Sequence, residues 1–393
     1  MSHQLIDRSP DLKRLRDEGY EVEVWSNYLL IKHVPYVNSD KKVKFGVLVS
    51  ELSLADNVTI KPETHVAHFT GDHPCNKDGS KMTKIANEST QKELVKDLII
   101  HHSFSCKPVG GTYGNYYEKM TMYANIISSQ AQAINPDVTA KTFAVIESEE
   151  GESVFNYIDT ASSRAEIGLV SSKLEIGKVG IVGLGGTGSY VLDLVAKTPV
   201  KEIHLFDGDT FSQHNAFRSP GAPSGEELKR QPKKVIYFKE QYSKMRRNII
   251  AHDCYINTSN VEQLRDMNFV FLCLDKGELK RLIIETLEKY GVPFVDVGMG
   301  VIHVDGALQG ILRVTTSTAA NRDYLRNKNR ISFSDGNENE YSRNIQIADL
   351  NALNATLAVI KWKKLFGFYR DSENEHYTTF TIDGNMLLNE DQT

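Results

Sequence analysis

Residues 178–188 read KVGIVGLGGTG and residues 202–207 read EIHLFD, and this pair of segments decides the fold. The first begins as a nearly continuous apolar run, as expected for a strand buried on both faces. It then breaks into glycines at Gly183, Gly185, Gly186 and Gly188, and from Thr187 to Ala196 the spacing turns helical. The second segment is another buried strand, ending in Asp207, 22 residues past Gly185. Strand, glycine turn, helix and strand ending in an acid form a nucleotide-binding unit. Glycines let the backbone turn tightly against a phosphate, and the helix start offers free N–H groups to the anion. A carboxylate at the second strand's tip can bond ribose hydroxyls.

Further strands are expected at 249–256, 269–274 (FVFLCL) and 293–297, with a helix over 278–290 between the last two. After Gly300 the pattern becomes alternating (VIHVDGALQGILRVTT), which predicts antiparallel strands completing a mixed sheet. An amphipathic helix over 348–365 closes the unit. The fold class is therefore α/β, a Rossmann-like mixed sheet, over residues 151–393. Residues 1–150 read as a separate α+β domain, with short strands at 20–25, 28–33 and 43–49, an extended stretch, and helices at 92–99 and 118–133. The boundary falls in the acidic, small-residue segment 147–162.

The residues after the second strand narrow the chemistry. The run Asp207-Gly208-Asp209-Thr210-Phe211-Ser212-Gln213-His214-Asn215-Ala216-Phe217-Arg218 is followed by Pro232-Lys233-Lys234, and a later strand ends Cys273-Leu274-Asp275. Taken with the glycine turn, this order resembles the ThiF and MoeB adenylyltransferases and the adenylation domain of ubiquitin-activating enzymes, over about residues 160–365. In organisation the chain resembles bacterial ThiF-type proteins with an additional N-terminal domain. The resemblance implies ATP and Mg2+ as cofactors and a carboxylate that attacks the α-phosphate and expels pyrophosphate. Charge then builds on both phosphate groups and must be met by cations and positioned N–H donors. It also implies the roles. Arg218 clamps phosphate bidentately, and Lys234, or else Lys233, acts as a point charge on the leaving pyrophosphate. Asp275 holds Mg2+, Asp207 binds ribose, Asp209 approaches the metal or phosphates, and Asn215 orients the triphosphate. Arg164 stands where related dimers send an arginine to the partner subunit's phosphates. Each has a plain structural alternative: Asp207 and Asp209 as turn caps, Arg218 and Arg164 as solvated charges, Asp275 as a helix N-cap.

The four cysteines, Cys75, Cys106, Cys254 and Cys273, contain no CxxC pair, and none follows Cys273. The two CxxC pairs of zinc-binding relatives are thus missing, as is the usual thioester cysteine after the sheet. Cys254 and Cys273 read as core residues, so any thioester depends on Cys75 or Cys106. Those two lie among His65, His68, His73, His101 and His102, which make up five of the chain's 12 histidines. The spacings match no metal-ligand pattern, and the region reads as a packed recognition domain or as one resembling a ubiquitin-conjugating fold.

With 393 residues, 40% hydrophobic, 9% aromatic and 25% charged, the composition is that of an ordinary globular protein. A formal charge of −5 makes a generic nucleic-acid or anionic-membrane binder a poor reading, since such binding rests on clustered Lys and Arg. The first 20 residues lack the apolar core of a signal peptide, and no apolar run reaches the ~20 residues that span a bilayer. A cytoplasmic enzyme is expected. The leading expectation is an adenylyltransferase that activates the C-terminal carboxylate of a ubiquitin-like protein or peptide, working as a homodimer. Adenylation of a non-protein carboxylate, as in tRNA modification, and an NAD-dependent oxidoreductase are the alternatives.

Overall fold

The computed structural model describes residues 2–148, 151, 153–274, 277–331, 333 and 345–390. The chain divides into two compact units, one of residues 1–146 with 163–165, the other of 147–162 with 166–393.

The first unit is built on an antiparallel six-stranded sheet, ordered Glu21–Trp25, Tyr28–Val37, Val43–Glu51, Val66–Thr70, His102–Ser105 and Ala86–Glu88. The helix Tyr116–Gln132 lays Tyr116, Met120, Tyr123 and Ile127 into its core beside Phe69 and Phe104. Asn115 caps that helix by accepting from the Glu118 N–H at 2.9 Å, the extended N-cap geometry that satisfies an otherwise free first-turn donor. Two short helices, Ser2–Arg8 and Pro10–Asp17, precede the sheet and had no expectation from periodicity. The helix expected over 92–99 is instead a hairpin of Lys92–Val95 and Leu98–Ile100. Its turn is made by Asp97 in the left-handed region (φ +68°), a conformation that ends helical propagation and that Asp tolerates.

The second unit carries the mixed sheet. Its eight strands run in the order Ile249–His252, Glu202–Phe206, Lys178–Val182, Phe269–Leu272, Phe294–Val304, Ala307–Ser317, Tyr377–Thr381 and Met386–Glu390. The first five are mutually parallel and the last three pair antiparallel. The strand order reverses beside Lys178–Val182, so the glycine turn that follows it sits at a topological switch point, where open α/β sheets bind ligands. Helices Gly186–Ala196 and Ala348–Leu365 pack together, and Trp362, fully buried, reaches Phe271 with ring centroids 5.9 Å apart. Burying a phenylalanine such as Phe269 or Phe271 contributes about 1.5–3 kcal/mol, so this apolar layer fixes the helix carrying the glycine turn. The strand expected at 293–297 runs on to Val304, because the alternation after Gly300 continues the same strand rather than starting a new one. Among the described residues no helix is long and apolar enough to cross a membrane.

Candidate active site

The glycine turn is shaped by close approach. Gly183 has φ +88°, and a Cβ there would stand 2.4 Å from the Cys273 carbonyl oxygen. At Gly188 a Cβ would meet the Gly183 carbonyl oxygen at 1.9 Å, and at Gly186 it would meet the Asn351 side chain at 2.0 Å. Gly185 alone faces open space, so the one turn residue with room in front of it is the N-cap of helix Gly186–Ala196. That is the arrangement in which backbone N–H groups can meet an anion.

Asp207 binds this turn directly. Its Oδ2 accepts from Leu184 N–H at 2.7 Å and its Oδ1 from Asp209 N–H at 2.8 Å. The turn-capping reading is therefore satisfied, while the carboxylate keeps lone pairs at the tip of its strand. Lys234 begins the helix Lys234–Tyr242, and its Nζ lies 2.7 Å from Asp209 Oδ2 and 3.8 Å from Asp207 Oδ2. Lys233 turns outward: its Nζ donates to the Gly208 carbonyl at 2.8 Å and pairs with Asp253 at 3.3 Å. The Lys234 side chain is 7% exposed against 43% for Lys233, so the two adjacent lysines occupy distinct environments.

Asn215 folds its amide back onto its own short helix, accepting from Ser212 N–H at 2.8 Å. Arg218 follows, half-buried, with its carbonyl accepting from Asn351 Nδ2 at 3.2 Å. Asn351 Oδ1 in turn accepts from the Thr187 hydroxyl at 3.0 Å, so one buried asparagine links the glycine turn to the Arg218 loop. Asp275, read as the magnesium ligand, lies outside the described residues. Arg164 groups with the first unit, exposed, its guanidinium 5.8 Å from the Phe143 ring centroid. Gly183, Gly185, Gly186, Gly188, Asp207, Asp209, Asn215, Arg218, Lys233 and Lys234 all belong to the second unit.

Three residues of the site have no place in the sequence reading. Tyr255 donates to Asp209, a bond that raises its phenol to about 12, and its ring packs over Gly208. Asn351 and Asn354 are buried in the helix Ala348–Leu365. Their signal was present as two amides three residues apart on an otherwise apolar face, a spacing that puts both on one side of a helix. Cys273 packs against the core as expected, and it has a second neighbour. The strand ends at Leu272, and Cys273 is half-buried on the wall of a cavity of ≈ 40 Å³ in front of the glycine turn.

In the first unit Cys75 is 1% exposed, donates to the His73 carbonyl at 3.2 Å, and has its thiol pushed up by burial. Cys106 is half-buried, its backbone held by Tyr113 and Tyr123. His73 and His102 meet with ring centroids 4.8 Å apart. Among the described residues no group of three or more His, Cys, Asp or Glu side chains is placed to hold a metal ion.

The family model described as "ThiF family" matches residues 162–381, and a second, described as "Domain of unknown function (DUF6791)", matches residues 10–160. No curated protein matches the chain in sequence. Among solved structures, E. coli MccB with ATP is 18% identical, covering 57% of this chain and 66% of its own, at a TM-score of 0.44. The chain thus spans just under two thirds of that neighbour. PaaA is 16% identical over 57% of this chain and 75% of its own, at 0.43. The E. coli tRNA N6-threonylcarbamoyladenosine dehydratase TcdA, in complex with AMP, is 18% identical over 53% of this chain and 93% of its own, at 0.39.

Proposed function

The chain belongs to the ThiF family of adenylyltransferases, and from that premise we propose that it activates the C-terminal carboxylate of a ubiquitin-like protein or peptide with ATP. The observation that carries the reading is the Lys234 ammonium, nearly buried between Asp209 and Asp207, the latter of which accepts from Leu184 N–H in the glycine turn. The two carboxylates balance its charge in the resting site, and in this reading the same ammonium supplies the cation that pyrophosphate departure needs.

In this reading the α-phosphate lies against the N–H groups at Gly185 and Gly186, and Asp207 accepts from the ribose. The substrate carboxylate attacks phosphorus, the α–β phosphoanhydride bond breaks, and the electron pair leaves with pyrophosphate, giving an acyl-adenylate. Lys234 and Arg218 meet the charge on the departing group. Asp209 and Asp275 are hard oxygen donors suited to Mg2+, which would add positive charge to the phosphates. Asn215 and Lys233 shape the loop that carries Asp209 and Arg218. Arg164 is assigned to the partner subunit's phosphates in a cytoplasmic homodimer, and the first unit to recognising or receiving the activated chain. If it receives the acyl group as a thioester, Cys106 is the better acceptor, since the Cys75 thiolate is disfavoured by burial.

The test is ATP–pyrophosphate exchange dependent on a carrier protein with a free C-terminal glycine. Exchange that appears with the carrier and is abolished by Arg218→Ala in a folded protein is the expected result. A panel of carriers that never supports exchange sinks the substrate assignment, and exchange unchanged by Arg218→Ala removes that residue from the mechanism.

A further inference from the structure

The cavity in front of the glycine turn is bounded in part by Gly185, Gly186, Thr187, Gly298, Met299 and Asn354. At ≈ 40 Å³ it has room for about three water-sized groups. It therefore fits a main-chain unit without a branched side chain. Asn354 is 1% exposed, and its Nδ2 donates to the Gly298 carbonyl at 3.1 Å. That bond fixes the amide's orientation, because turning it over would set two oxygens against each other. Its Oδ1 is then a buried acceptor that receives no hydrogen bond among the described residues. Buried amide oxygens are nearly always satisfied, so an unpaired one on a residue that lines this cavity calls for a donor from outside the described residues.

The chemistry of the donor can be narrowed. Phosphate oxygens and the reacting carboxylate are acceptors only, so neither pairs with Oδ1. An acid offering nothing beyond its carboxylate brings no donor for Asn354. The amide N–H of a peptide chain, one residue's length from the carboxyl carbon, is a donor at the needed end of the substrate.

We propose that Asn354 accepts the main-chain N–H next to the carboxyl group being adenylated, so that the site selects the end of a peptide chain over an isolated carboxylic acid. The inference rests on the adenylation reading above. Asn354 is then a specificity-determining residue, distinct from the groups that handle phosphate.

The probes are ATP, glycylglycyl-sulfamoyladenosine as a stable mimic of the acyl-adenylate, and its ester analogue in which the internal amide N–H is replaced by oxygen. Each is titrated calorimetrically into the full-length protein. The wild type is expected to bind the amide mimic about tenfold or more tighter than the ester, the ratio for a lost buried hydrogen bond. In Asn354→Ala, shown by circular dichroism to be folded, that ratio is expected to fall towards one. Equal binding of amide and ester by the wild type, with ATP still binding, overturns this inference and leaves adenylation standing. A ratio preserved in Asn354→Ala overturns it likewise. Failure of the wild type to bind ATP and both mimics brings down the adenylation reading and this inference together. Because the wild-type comparison needs no variant, misfolding of Asn354→Ala does not shelter the proposal.

Discussion

Lys234 Nζ stands 2.7 Å from Asp209 Oδ2, while the neighbouring Lys233 Nζ is turned to the Gly208 carbonyl. Two lysines adjacent in sequence therefore point to different partners, because Lys233 is the extended N-cap and Lys234 the first residue of a helix whose leading N–H is tied to the Asp209 carbonyl. Lys234→Ala is expected to lower ATP–pyrophosphate exchange by about 100-fold or more, the scale seen when a positioned transition-state charge is removed. Lys233→Ala, which removes an exposed pair with Asp253, is expected to cost less than about tenfold. Steady-state exchange rates of the two variants decide the assignment, and the reverse ranking would move the catalytic cation to Lys233.

The parallel strands, the glycine turn and the Asp207 to Lys234 run were legible because each depends on local chemistry: apolar runs, glycines and charged residues at fixed offsets. The hairpin at 92–100 was not, since a run such as Lys92–Ile100 carries both periods weakly and the turn at Asp97 decides between them, folding the two halves into a two-stranded sheet of their own. Asn351 and Asn354 were missed for a different reason. Their helix lies more than 150 residues from the glycine turn, and only packing brings Asn351 against Gly186. Cys273 continues an apolar run and does pack against the core, its N–H still bonded to the Val182 carbonyl, but it lies just past the strand end and so also lines the cavity.

Behind the cavity wall, Asp296 is fully buried between Lys280 Nζ and Arg313 Nη2, each at 2.8 Å. Lys280 approaches Oδ1 off the line of a good hydrogen bond, whereas Arg313 makes a bond to Oδ2. Removing one partner of a buried ionic set leaves uncompensated charge and typically costs about 3–5 kcal/mol. Asp296→Ala strands two cations and is expected to fall in that range, with a matching drop in the denaturant midpoint. A loss under about 1 kcal/mol would mean that water reaches Lys280 and Arg313 when the carboxylate is gone.

The two N-terminal thiols should differ in reactivity. Burial raises Cys75 and leaves it 1% exposed, while Cys106 is half-buried. Because the thiolate is the reacting species, iodoacetamide should alkylate Cys106 at least about ten times faster than Cys75 in the native protein. Peptide mapping over a time course measures this. If a reductant-sensitive adduct forms with an activated carrier, Cys106→Ser should abolish it and Cys75→Ser should not; the opposite pattern would require the first unit to open during transfer.

Lys119 gives the first unit a pH dependence whose sign is fixed by burial. The side chain is fully buried, its Nζ donating to Ser50 Oγ at 2.9 Å and the Thr64 carbonyl at 2.8 Å, and desolvation lowers it from 10.5 to about 8. Between pH 8 and 10.5 the unfolded chain holds this proton and the folded chain has begun to release it. Stability therefore rises with pH across that window, and the full penalty of about 3 kcal/mol is present below pH 8. Tyr116 and Tyr123, raised by burial, act in the opposite sense once unfolded tyrosines ionise. Comparing the wild type with Lys119→Met at each pH cancels their contribution. Hydrogen exchange of peptides from the helix Tyr116–Gln132 in the full-length protein should show the wild type gaining protection relative to Lys119→Met from pH 8 to 9.5. A difference that stays flat with pH would mean that the ammonium keeps its proton in the folded state well above 8.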